Sequence, residues 1–483
     1  MRYISTRGQS PPVSFLDAVL AGMAPDGGLY VPEEWPTLTD GLVAAHNASQ
    51  ATANGYVAHS GYCFTAGAAL ATLSGDAFGV WPAFELARDV YSYSGGWPAS
   101  VTPLVQIDAG QWLLELFHGP SLSFKDVAMQ LIGPLYERAL AERGPRLSVL
   151  CATSGDTGGA AVEALKGRER VDLFVFLPKG RVSDVQRRFM TTSGADNVYA
   201  VEVDGDFDAC QAIVKALFVD REFAARARLS AVNSINWARI LAQSAYYHVA
   251  AQILCGQGLV SFAVPTGNFG DAYSGYVAKR MGAPVGRILI ATNANDILHR
   301  ALSSGRYERK ERSTETISPA MDIQVASNFE RILFEALDRD GERVARLYDQ
   351  FAQSGGFDVP EPALGFLREH FATWSIDDEE TLGTMKQFHE LARQIVCPHT
   401  GVALAAVGNE GDEDYSLLEL PVVTLATAHP AKFADTVQRA IGIAPELPAH
   451  CADLLFRPER FDSLPADVEA VKRYIRERSR AWK

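Results

Sequence analysis

From residue 111 onward the chain repeats one pattern, an apolar run of strand length followed by a stretch with helical spacing. Six such runs predict strands: WLLELF (112–117), RLSVLCAT (146–153), VDLFVFLP (171–178), VYAVEV (198–203), LVSFAVPT (259–266) and RILIATN (287–293). Near-continuous apolar strands that alternate with helices are typical of parallel sheets covered on both faces. The pattern therefore predicts an α/β fold with ligands bound at the carboxyl ends of the strands.

The first hundred residues have a different texture. They contain the turn-rich segment APDGGLYVPEEWP (24–36) and an Ala/Gly/Thr-rich helical stretch near 44–75, and they end in the Gly/Pro cluster SYSGGWPAS (92–100). We therefore expect a separate N-terminal domain over residues 1–98. Residues 296–390 are more charged, and we expect them to be mostly helical.

Charge and cysteine usage exclude several classes of function. The chain has 44 Lys and Arg against 58 Asp and Glu, a net charge of −14, so a nucleic-acid or membrane-surface partner is not expected. Its six cysteines are scattered without a CxxC pair, which predicts no metal site and favours buried thiols in the reducing cytoplasm. The start MRYISTRG lacks the apolar core of a signal peptide, and the apolar runs are too short to span a membrane.

One lysine stands apart from other cations. Lys125 lies in HGPSLSFKDVAMQ (118–130), after a Gly-Pro turn and before an apolar helix. Burial tunes a lysine amine downward and suits it to Schiff-base chemistry, so Lys125 is the candidate catalytic residue. We interpret the flanking His118 and Asp126 as structural support.

Two glycine-rich loops each follow a predicted strand and precede a helix. TSGDTGG (153–159) offers hydroxyls and helix N–H groups to a small anion such as a carboxylate. PTGNFGDAYSG (265–275) suits a phosphate, although it has neither a Rossmann nor a P-loop spacing. For both loops an ordinary strand-to-helix turn is the alternative.

Three further stretches could contribute polar groups. NSINWARI (233–240) places Asn233, Ser234 and Arg239 near a helix start, where Arg could bind a phosphate or could simply be exposed. Thr427 ends the strand PVVTLAT (421–427), and its hydroxyl could bond a heterocyclic nitrogen or only the backbone. His399 in CPHTGVA (397–403) favours a structural role.

Together these features suit a pyridoxal-phosphate enzyme with a Schiff-base lysine. One anion subsite would take the cofactor phosphate and another a substrate carboxylate. The Asn/Ser/Arg group would be a third, which implies a substrate that carries its own phosphate.

The motifs HGPSLSFKD, TSGDTGG, NSIN, PTGNFGD and TAHPAKF, in this order, resemble those of threonine synthases. The N-terminal pattern, from MRYISTRG to APDGGLYVPEEWP, is similar to that of the longer, bacterial and fungal-type branch. The resemblance implies pyridoxal-phosphate fold type II, with two parallel-sheet α/β domains, the cofactor in the cleft between them and an N-terminal domain. Residues 99–140 and 260–483 would form the larger, cofactor-binding domain, and residues 141–259 the smaller one.

The resemblance also implies site roles. Lys125 would bind the cofactor covalently, and Thr427 would contact its pyridine nitrogen as a neutral partner that makes the ring a weaker electron sink than a carboxylate would. The cofactor phosphate would bind at Gly267, Asn268, Phe269, Gly270 and Asp271. The substrate carboxylate would bind at Ser154, Gly155, Asp156 and Thr157, beside Thr153, and the substrate phosphate at Asn233, Ser234 and Arg239.

The implied reaction converts O-phospho-L-homoserine and water into L-threonine and phosphate, with Lys125 moving the protons. Cys397 departs from the resemblance, because the family commonly has Asp there, and we assign it no role. Another fold type II enzyme, such as a serine/threonine dehydratase or a β-replacing synthase, and a non-catalytic descendant are the alternatives. We expect a monomer or homodimer in the cytoplasm.

Overall fold

The computed structural model describes residues 1–38, 61–92, 96–144, 146–413 and 420–482. The strands are β1 (Arg2–Ser5), β2 (Val13–Ser14), β3 (Tyr30–Pro32), β4 (Leu104–Asp108), β5 (Gln111–Glu115), β6 (Leu147–Ala152), β7 (Val171–Pro178), β8 (Val198–Asp204), β9 (Leu229–Ala231), β10 (Val260–Pro265), β11 (Val285–Thr292), β12 (Arg306–Glu308), β13 (Gly356–Asp358), β14 (Phe371–Ser375), β15 (Val422–Ala426) and β16 (Asp462–Pro465).

The α-helices alternate with these strands over most of the chain. They are α1 (Phe15–Ala21), α2 (Gly61–Ser74), α3 (Val80–Tyr91), α4 (Lys125–Arg143), α5 (Asp156–Leu165), α6 (Asp184–Thr191), α7 (Phe207–Val219), α8 (Arg221–Ala227), α9 (Trp237–Leu254), α10 (Gly270–Arg280), α11 (Ile297–Ser304), α12 (Phe329–Ala336), α13 (Gly341–Ser354), α14 (Glu361–His370), α15 (Asp378–Ala392), α16 (Pro398–Glu413), α17 (Ala434–Ile441) and α18 (Val468–Arg478).

The larger sheet has the order β14-β11-β10-β15-β5-β4. Its pairs are parallel except β4–β5, which form an antiparallel edge hairpin. Every residue of β10 and β15 is buried, as expected for strands covered on both faces. The α/β class and the parallel sheets predicted from the apolar runs are therefore confirmed.

The second sheet has the order β16-β8-β7-β6-β9, and its pairs are parallel throughout. Its last strand, β16, comes from the end of the chain and pairs with β8. Residues 260–483 were all predicted to belong to the larger domain, whereas β16 within that range pairs in the second sheet. The domain limits themselves stay a prediction.

The N-terminal region forms a small antiparallel sheet, β2-β1-β3, with α1 to α3 nearby in the chain. Of the helical stretch expected near 44–75, residues 61–74 are helical and residues 44–60 lie outside the described residues. The Thr6 hydroxyl donates to the buried Glu330 at 2.7 Å, and Arg7 makes an ion pair with Glu330 at 3.0 Å. These contacts fasten the start of the chain to α12.

Residues 296–390 contain helices α11 to α15, in line with the prediction. They also contain the strands β12, β13 and β14, which the charged sequence did not predict. The most important is β14, which pairs in parallel with β11 and forms the outer edge of the larger sheet. Among the described residues, no helix has both the length and the apolar character that crossing a membrane requires.

Candidate active site

The predicted site residues meet in one cavity of about 1640 Å³. It lies where β5, β6, β9, β10 and β15 end, so five separate strand ends deliver the lining loops. The predicted residues that line it are Lys125, Thr153, Ser154, Asp156, Thr157, Asn233, Ser234, Arg239, Gly267, Asn268, Phe269, Gly270, Asp271 and Thr427. Gly155 does not line the cavity.

Lys125 is the first residue of α4, and the turn before it is tightly braced. The Phe124 N–H donates to the Thr427 carbonyl at 2.8 Å, which ties the lysine turn to the end of β15. The buried Asp126 accepts hydrogen bonds from the Ser121 N–H at 2.8 Å and the Ser121 hydroxyl at 2.7 Å. Burial raises the pKa of Asp126 to about 6 against the effect of these bonds. Asp126 thus supports the turn, as the sequence suggested.

The Lys125 amine points at the glycine loop 153–159. Its Nζ lies 3.4 Å from Asp156 Oδ2, and its side chain is only 12% exposed. Burial lowers the pKa of Lys125 even though Asp156 opposes that shift. A lysine in this setting has more neutral amine at a given pH than a surface lysine, which suits a base or nucleophile.

Asp156 is a carboxylate of the site that contacts two lysines. Its Oδ1 lies 2.8 Å from Lys432 Nζ and accepts a hydrogen bond from Gln186 Nε2 at 2.9 Å. Burial alone would raise the pKa of this carboxyl, but Lys432 and Lys125 lower it well below its usual range. Asp156 is therefore a charged anchor of the loop.

The loop 153–159 is stabilised by the hydroxyl of its first residue, Thr153. Thr153 Oγ1 accepts hydrogen bonds from the N–H groups of Gly155 and Gly158, both at 2.9 Å. Gly155 has φ +139°, and a Cβ there would lie 2.5 Å from the Gln186 side chain. A glycine is required at this turn because both the backbone conformation and the space exclude a side chain. Helix α5 begins directly after Gly155, at Asp156, and its first N–H groups have no intrahelical partners.

The loop before α10 presents backbone rather than side chains to the cavity. Phe269 adopts the left-handed conformation (φ +63°), and its ring is buried against Phe371. A Cβ on Gly267 would lie 3.0 Å from the Ala320 carbonyl, so that glycine allows close packing of the loop. Phe269 can therefore contribute to a phosphate site only through its backbone.

Asp271, at the start of α10, does not act as a simple helix cap. Its Oδ1 accepts hydrogen bonds from the hydroxyls of Tyr246 and Tyr247, the latter at 3.0 Å. Burial raises the pKa of Asp271 to about 6, although the tyrosines, Lys125 and Arg239 all oppose the shift. Asp271 thus joins α10 to α9, and two cations face it across the cavity.

Arg239 lies in the first turn of α9 and is buried, so the alternative of an exposed arginine is wrong. Its Nη1 donates to the Val232 carbonyl at 3.3 Å, while its Nε has no partner among the described residues. Burial lowers the pKa of Arg239 to about 10, so the guanidinium remains charged at neutral pH. A buried guanidinium with a free N–H donor is suited to bind an anion.

The other two residues predicted beside Arg239 also reach the cavity. Ser234 Oγ is 3.1 Å from Ser327 Oγ, and Asn233 is exposed at the cavity wall.

These residues fit pyridoxal phosphate. A buried amine faces a loop whose helix α10 starts with N–H groups lacking intrahelical partners, as a phosphate requires. Thr427 lines the same cavity at the end of β15. Arg239 lines the same cavity, and its Nε, which has no partner among the residues that the structure describes, is available for an anion besides the cofactor phosphate.

His399 and Cys397 play supporting parts. His399 Nε2 accepts a hydrogen bond from the Ala320 N–H at 3.2 Å, and burial lowers the pKa of this imidazole to about 4. The buried Cys397 Sγ lies 3.3 Å from Thr400 Oγ1. His399 is thus a neutral acceptor, consistent with the structural role that the sequence favoured. None of the six cysteines forms a disulfide in the described part of the chain.

Sequence reasoning missed the residues that hold the loops together. Lys432 and Gln186 both contact Asp156. Lys432 belongs to the motif TAHPAKF, from which its contact with Asp156 was not predicted. Asn328 Nδ2 donates to the carbonyls of Ser234 at 3.2 Å and Asn268 at 3.1 Å, which joins two of the loops. The capping-box spacing from Ser183 marks Gln186 as part of a helix start, but no local pattern marks its contact with Asp156 or those of Asn328, because these partners are remote in sequence.

Three family models match the chain. "Threonine synthase N terminus" matches residues 2–53, "Pyridoxal-phosphate dependent enzyme" residues 99–353, and "Threonine synthase, C-terminal" residues 400–475. A curated threonine synthase of Pseudomonas aeruginosa is 44% identical over 98% of both chains.

Solved structures agree with the sequence comparison. The crystal structure of a pyridoxal-phosphate-bound threonine synthase from Brucella melitensis is 46% identical and has a TM-score of 0.90, covering 99% of this chain and 100% of the other. The yeast threonine synthase is 37% identical with a TM-score of 0.88, covering 99% and 98%. The chain therefore belongs to the threonine synthase family of pyridoxal-phosphate enzymes of fold type II.

Proposed function

We propose that this chain converts O-phospho-L-homoserine and water into L-threonine and phosphate, the last step of threonine biosynthesis, with pyridoxal 5'-phosphate as cofactor. The observation that carries the proposal is the buried Arg239, whose Nε has no partner within the described part of the chain, in the same cavity as the Lys125 amine and the starts of α5 and α10. A substrate with a carboxylate and a phosphate, acted on beside a cofactor phosphate, needs three anion subsites.

The residues would hold the cofactor as follows. Lys125 would bind its aldehyde carbon, the backbone of the loop 267–271 its phosphate, and the Thr427 hydroxyl its ring nitrogen. When bound, the cofactor supplies an electron sink for negative charge that develops on the substrate. Asp271 would hold the start of α10 through its Oδ1, which accepts from Tyr246 and Tyr247, while its Oδ2 has no partner in the described part of the chain.

The substrate carboxylate would bind at the start of α5, at residues 154–157, with the Thr153 hydroxyl organising that loop. N–H groups at a helix start and the positive end of its dipole suit a carboxylate. Asp156 can remain in this anion subsite because Lys432 neutralises it. Its role is thus to shape the subsite rather than to donate to the substrate.

Arg239, with Asn233 and Ser234, would bind the substrate phosphate. Burial strengthens the attraction between the guanidinium and a phosphate, because fewer water molecules screen it. The contact would stabilise the phosphate as it leaves Cγ. Dehydratases and β-replacing synthases act on substrates without this phosphate and have no use for such a subsite.

Lys125 would move the protons. The freed Lys125 Nζ would take the Cα proton and pass it to another group of the site, and the neutral amine would then take the Cβ proton and return it to Cγ after phosphate leaves. Water then adds at Cβ and Cα is reprotonated. Burial lowers the pKa of Lys125, which favours the neutral amine that proton abstraction requires.

The first experiment measures phosphate release and threonine formation from O-phospho-L-homoserine by cofactor-loaded protein. We expect both products in equal amounts and loss of turnover in Lys125→Ala. The exposed lysine variant Lys166→Ala serves as control and should keep wild-type turnover. Near-normal turnover by Lys125→Ala, or activity on serine without activity on phosphohomoserine, would refute the proposal.

The assembly state and the cellular location stay predictions. The sequence favours a monomer or homodimer in the cytoplasm, with a small-molecule substrate and no nucleic-acid or membrane partner. The small-molecule substrate is supported by the family, and the other statements await direct measurement of mass in solution and of location.

A further inference from the structure

A second lysine is buried beside the reactive one. Lys432 lies in the 3₁₀ turn Pro430–Phe433 that follows β15, and its side chain is only 1% exposed. Its Nζ contacts the Ser121 carbonyl at 2.7 Å and Asp156 Oδ1 at 2.8 Å. A lysine is almost never this buried unless its ammonium is paired, and here Asp156 is the pair.

Lys432 thereby joins the two segments that would act on the substrate. Ser121 opens the braced turn that leads into Lys125, and Asp156 starts the helix of the proposed carboxylate subsite. The Lys432 carbonyl also accepts a hydrogen bond from Ser183 Oγ at 3.0 Å. Ser183 caps α6, the helix whose Gln186 donates to Asp156. One residue therefore fixes the relative position of the amine and the anion subsite.

Lys432 also acts through its charge, because Asp156 lies between its ammonium and that of Lys125. Asp156 is one carboxylate between two amines, with Lys432 at 2.8 Å and Lys125 at 3.4 Å. The shorter and fully buried contact belongs to Lys432. Without that ammonium, Lys125 would be the remaining lysine beside Asp156, and a buried carboxylate strongly favours a protonated neighbour.

We propose that Lys432 is a positioning residue for the proposed reaction: its ammonium neutralises Asp156, so that Lys125 is not held as the counter-ion of that carboxylate. The inference rests on the proposed function for its chemical meaning. Lys432 does not line the cavity and touches no reacting atom; it acts through Asp156 and the Ser121 turn.

Other groups face the two lysines and must be kept constant in a test. Lys125 is faced by Asp156, Asp271, Arg239, His399 and Lys432. Lys432 is faced by Asp126, Asp156, His399, His429, Cys451 and Lys125. Comparing variants at Lys432 and Asp156 alone leaves all the other groups unchanged.

The test compares Lys432→Met and Lys432→Arg with wild type. In cofactor-free protein, the reactivity of the Lys125 amine toward acetic anhydride is followed against pH, with the Lys125 peptide quantified by mass spectrometry. We expect the pH of half-maximal reactivity to rise by about one unit or more in Lys432→Met and to stay near wild type in Lys432→Arg. In cofactor-loaded protein, the acid limb of the kcat profile should move to higher pH in the Met variant in the same way.

A double variant guards against misfolding. Lys432→Met leaves an uncompensated buried carboxylate, whereas Lys432→Met/Asp156→Asn removes both charges and should fold. In this double variant the reactivity of Lys125 should shift back from that of Lys432→Met toward lower pH. The half-buried, remote Lys279→Met is the matched control and should not shift the profile of Lys125.

The labelling result decides the inference independently of threonine formation. If wild-type protein made no threonine, the proposed function would fail while the labelling comparison could still be read. If Lys432→Met lost activity with no change in the pH dependence of Lys125 in either measurement, Lys432 would be a structural brace only. An unchanged profile in the double variant relative to Lys432→Met would overturn the role of Asp156 in the same way.

Discussion

Single residues in this cavity combine burial with incomplete pairing. Arg239 is the clearest example, since a buried guanidinium normally satisfies most of its five N–H donors. Here its Nη1 donates one hydrogen bond to the protein at 3.3 Å, and its Nε has no partner among the described residues. Such a group costs stability in the empty protein unless a ligand or solvent pairs with it. An anion bound as proposed above would supply that partner.

Replacing Arg239 by Ala should therefore damage use of the phosphorylated substrate more than binding of the cofactor. We expect kcat/KM for O-phospho-L-homoserine to fall about 10- to 100-fold, the loss of a hydrogen bond to a charged group. The absorbance spectrum of bound cofactor should stay close to wild type. The exposed Arg346→Ala on α13 is the control. Unchanged kcat/KM in Arg239→Ala would remove Arg239 from the phosphate subsite.

At the scale of elements, α9 is the helix on which the site depends. Almost all of its residues are buried, and it carries Arg239 at its start and the tyrosines that hold Asp271 in its middle. It also carries His248, which is 2% exposed and whose Nε2 has no partner among the described residues. Burial lowers the pKa of His248 to about 4.

This histidine should make the protein less stable in acid. Its pKa in the folded state lies below its ordinary value of 6.5, so the unfolded chain binds the proton first as pH falls. The stabilisation is complete above about pH 6.5 and is lost as pH falls toward 4, by up to about 3 kcal/mol.

Urea unfolding of His248→Leu at pH 7 and at about pH 4.5 measures the effect. We expect the difference in unfolding free energy between the two pH values to be smaller in the variant than in wild type. Ser244→Ala, a buried and non-titrating change one turn earlier, should keep the wild-type difference. An equal difference in His248→Leu and wild type would contradict the assignment.

At the scale of the whole molecule, both ends of the described chain are fixed to its body. Arg7 pairs with Glu330 near the start. Near the other end the Arg480 Nε donates to Asp172 Oδ1 at 2.7 Å and its N–H to Oδ2 at 2.6 Å. Asp172 lies on β7 and is fully buried, so Arg480 neutralises a carboxylate inside the second sheet.

Arg480→Ala should destabilise the protein without changing its chemistry. Removing the cation leaves the buried Asp172 with the backbone N–H alone, and we expect a loss of about 2 kcal/mol in unfolding free energy. The expected loss is below that of a fully buried pair because the Arg480 side chain is 33% exposed. Urea unfolding measures it, with Arg473→Ala on α18 as control. Wild-type stability in Arg480→Ala would show that solvent alone satisfies Asp172.

The sequence by itself determined several core strands and the two glycine loops and singled out Lys125 as the candidate catalytic lysine, because each depends on neighbours in the chain. Apolar runs place β6, β7 and β10 within a few residues of their observed limits, since a strand covered on both faces must be apolar throughout. Glycines mark the two loops because helix starts and tight turns need bare backbone there. An isolated lysine before an apolar helix is likewise a local signal.

Only the tertiary structure decided which contacts hold these strands and loops together and which charges the site residues carry. Lys432 and the Ser121 carbonyl it contacts are 311 residues apart in the chain, and no local pattern connects them. The edge strand β14 and the return of β16 to the second sheet depend in the same way on pairing with remote strands. Burial, which lowers the pKa of Lys125 and Arg239, and the ion pair with Lys432, which keeps Asp156 charged, exist only once the sheets and helices have packed around these residues.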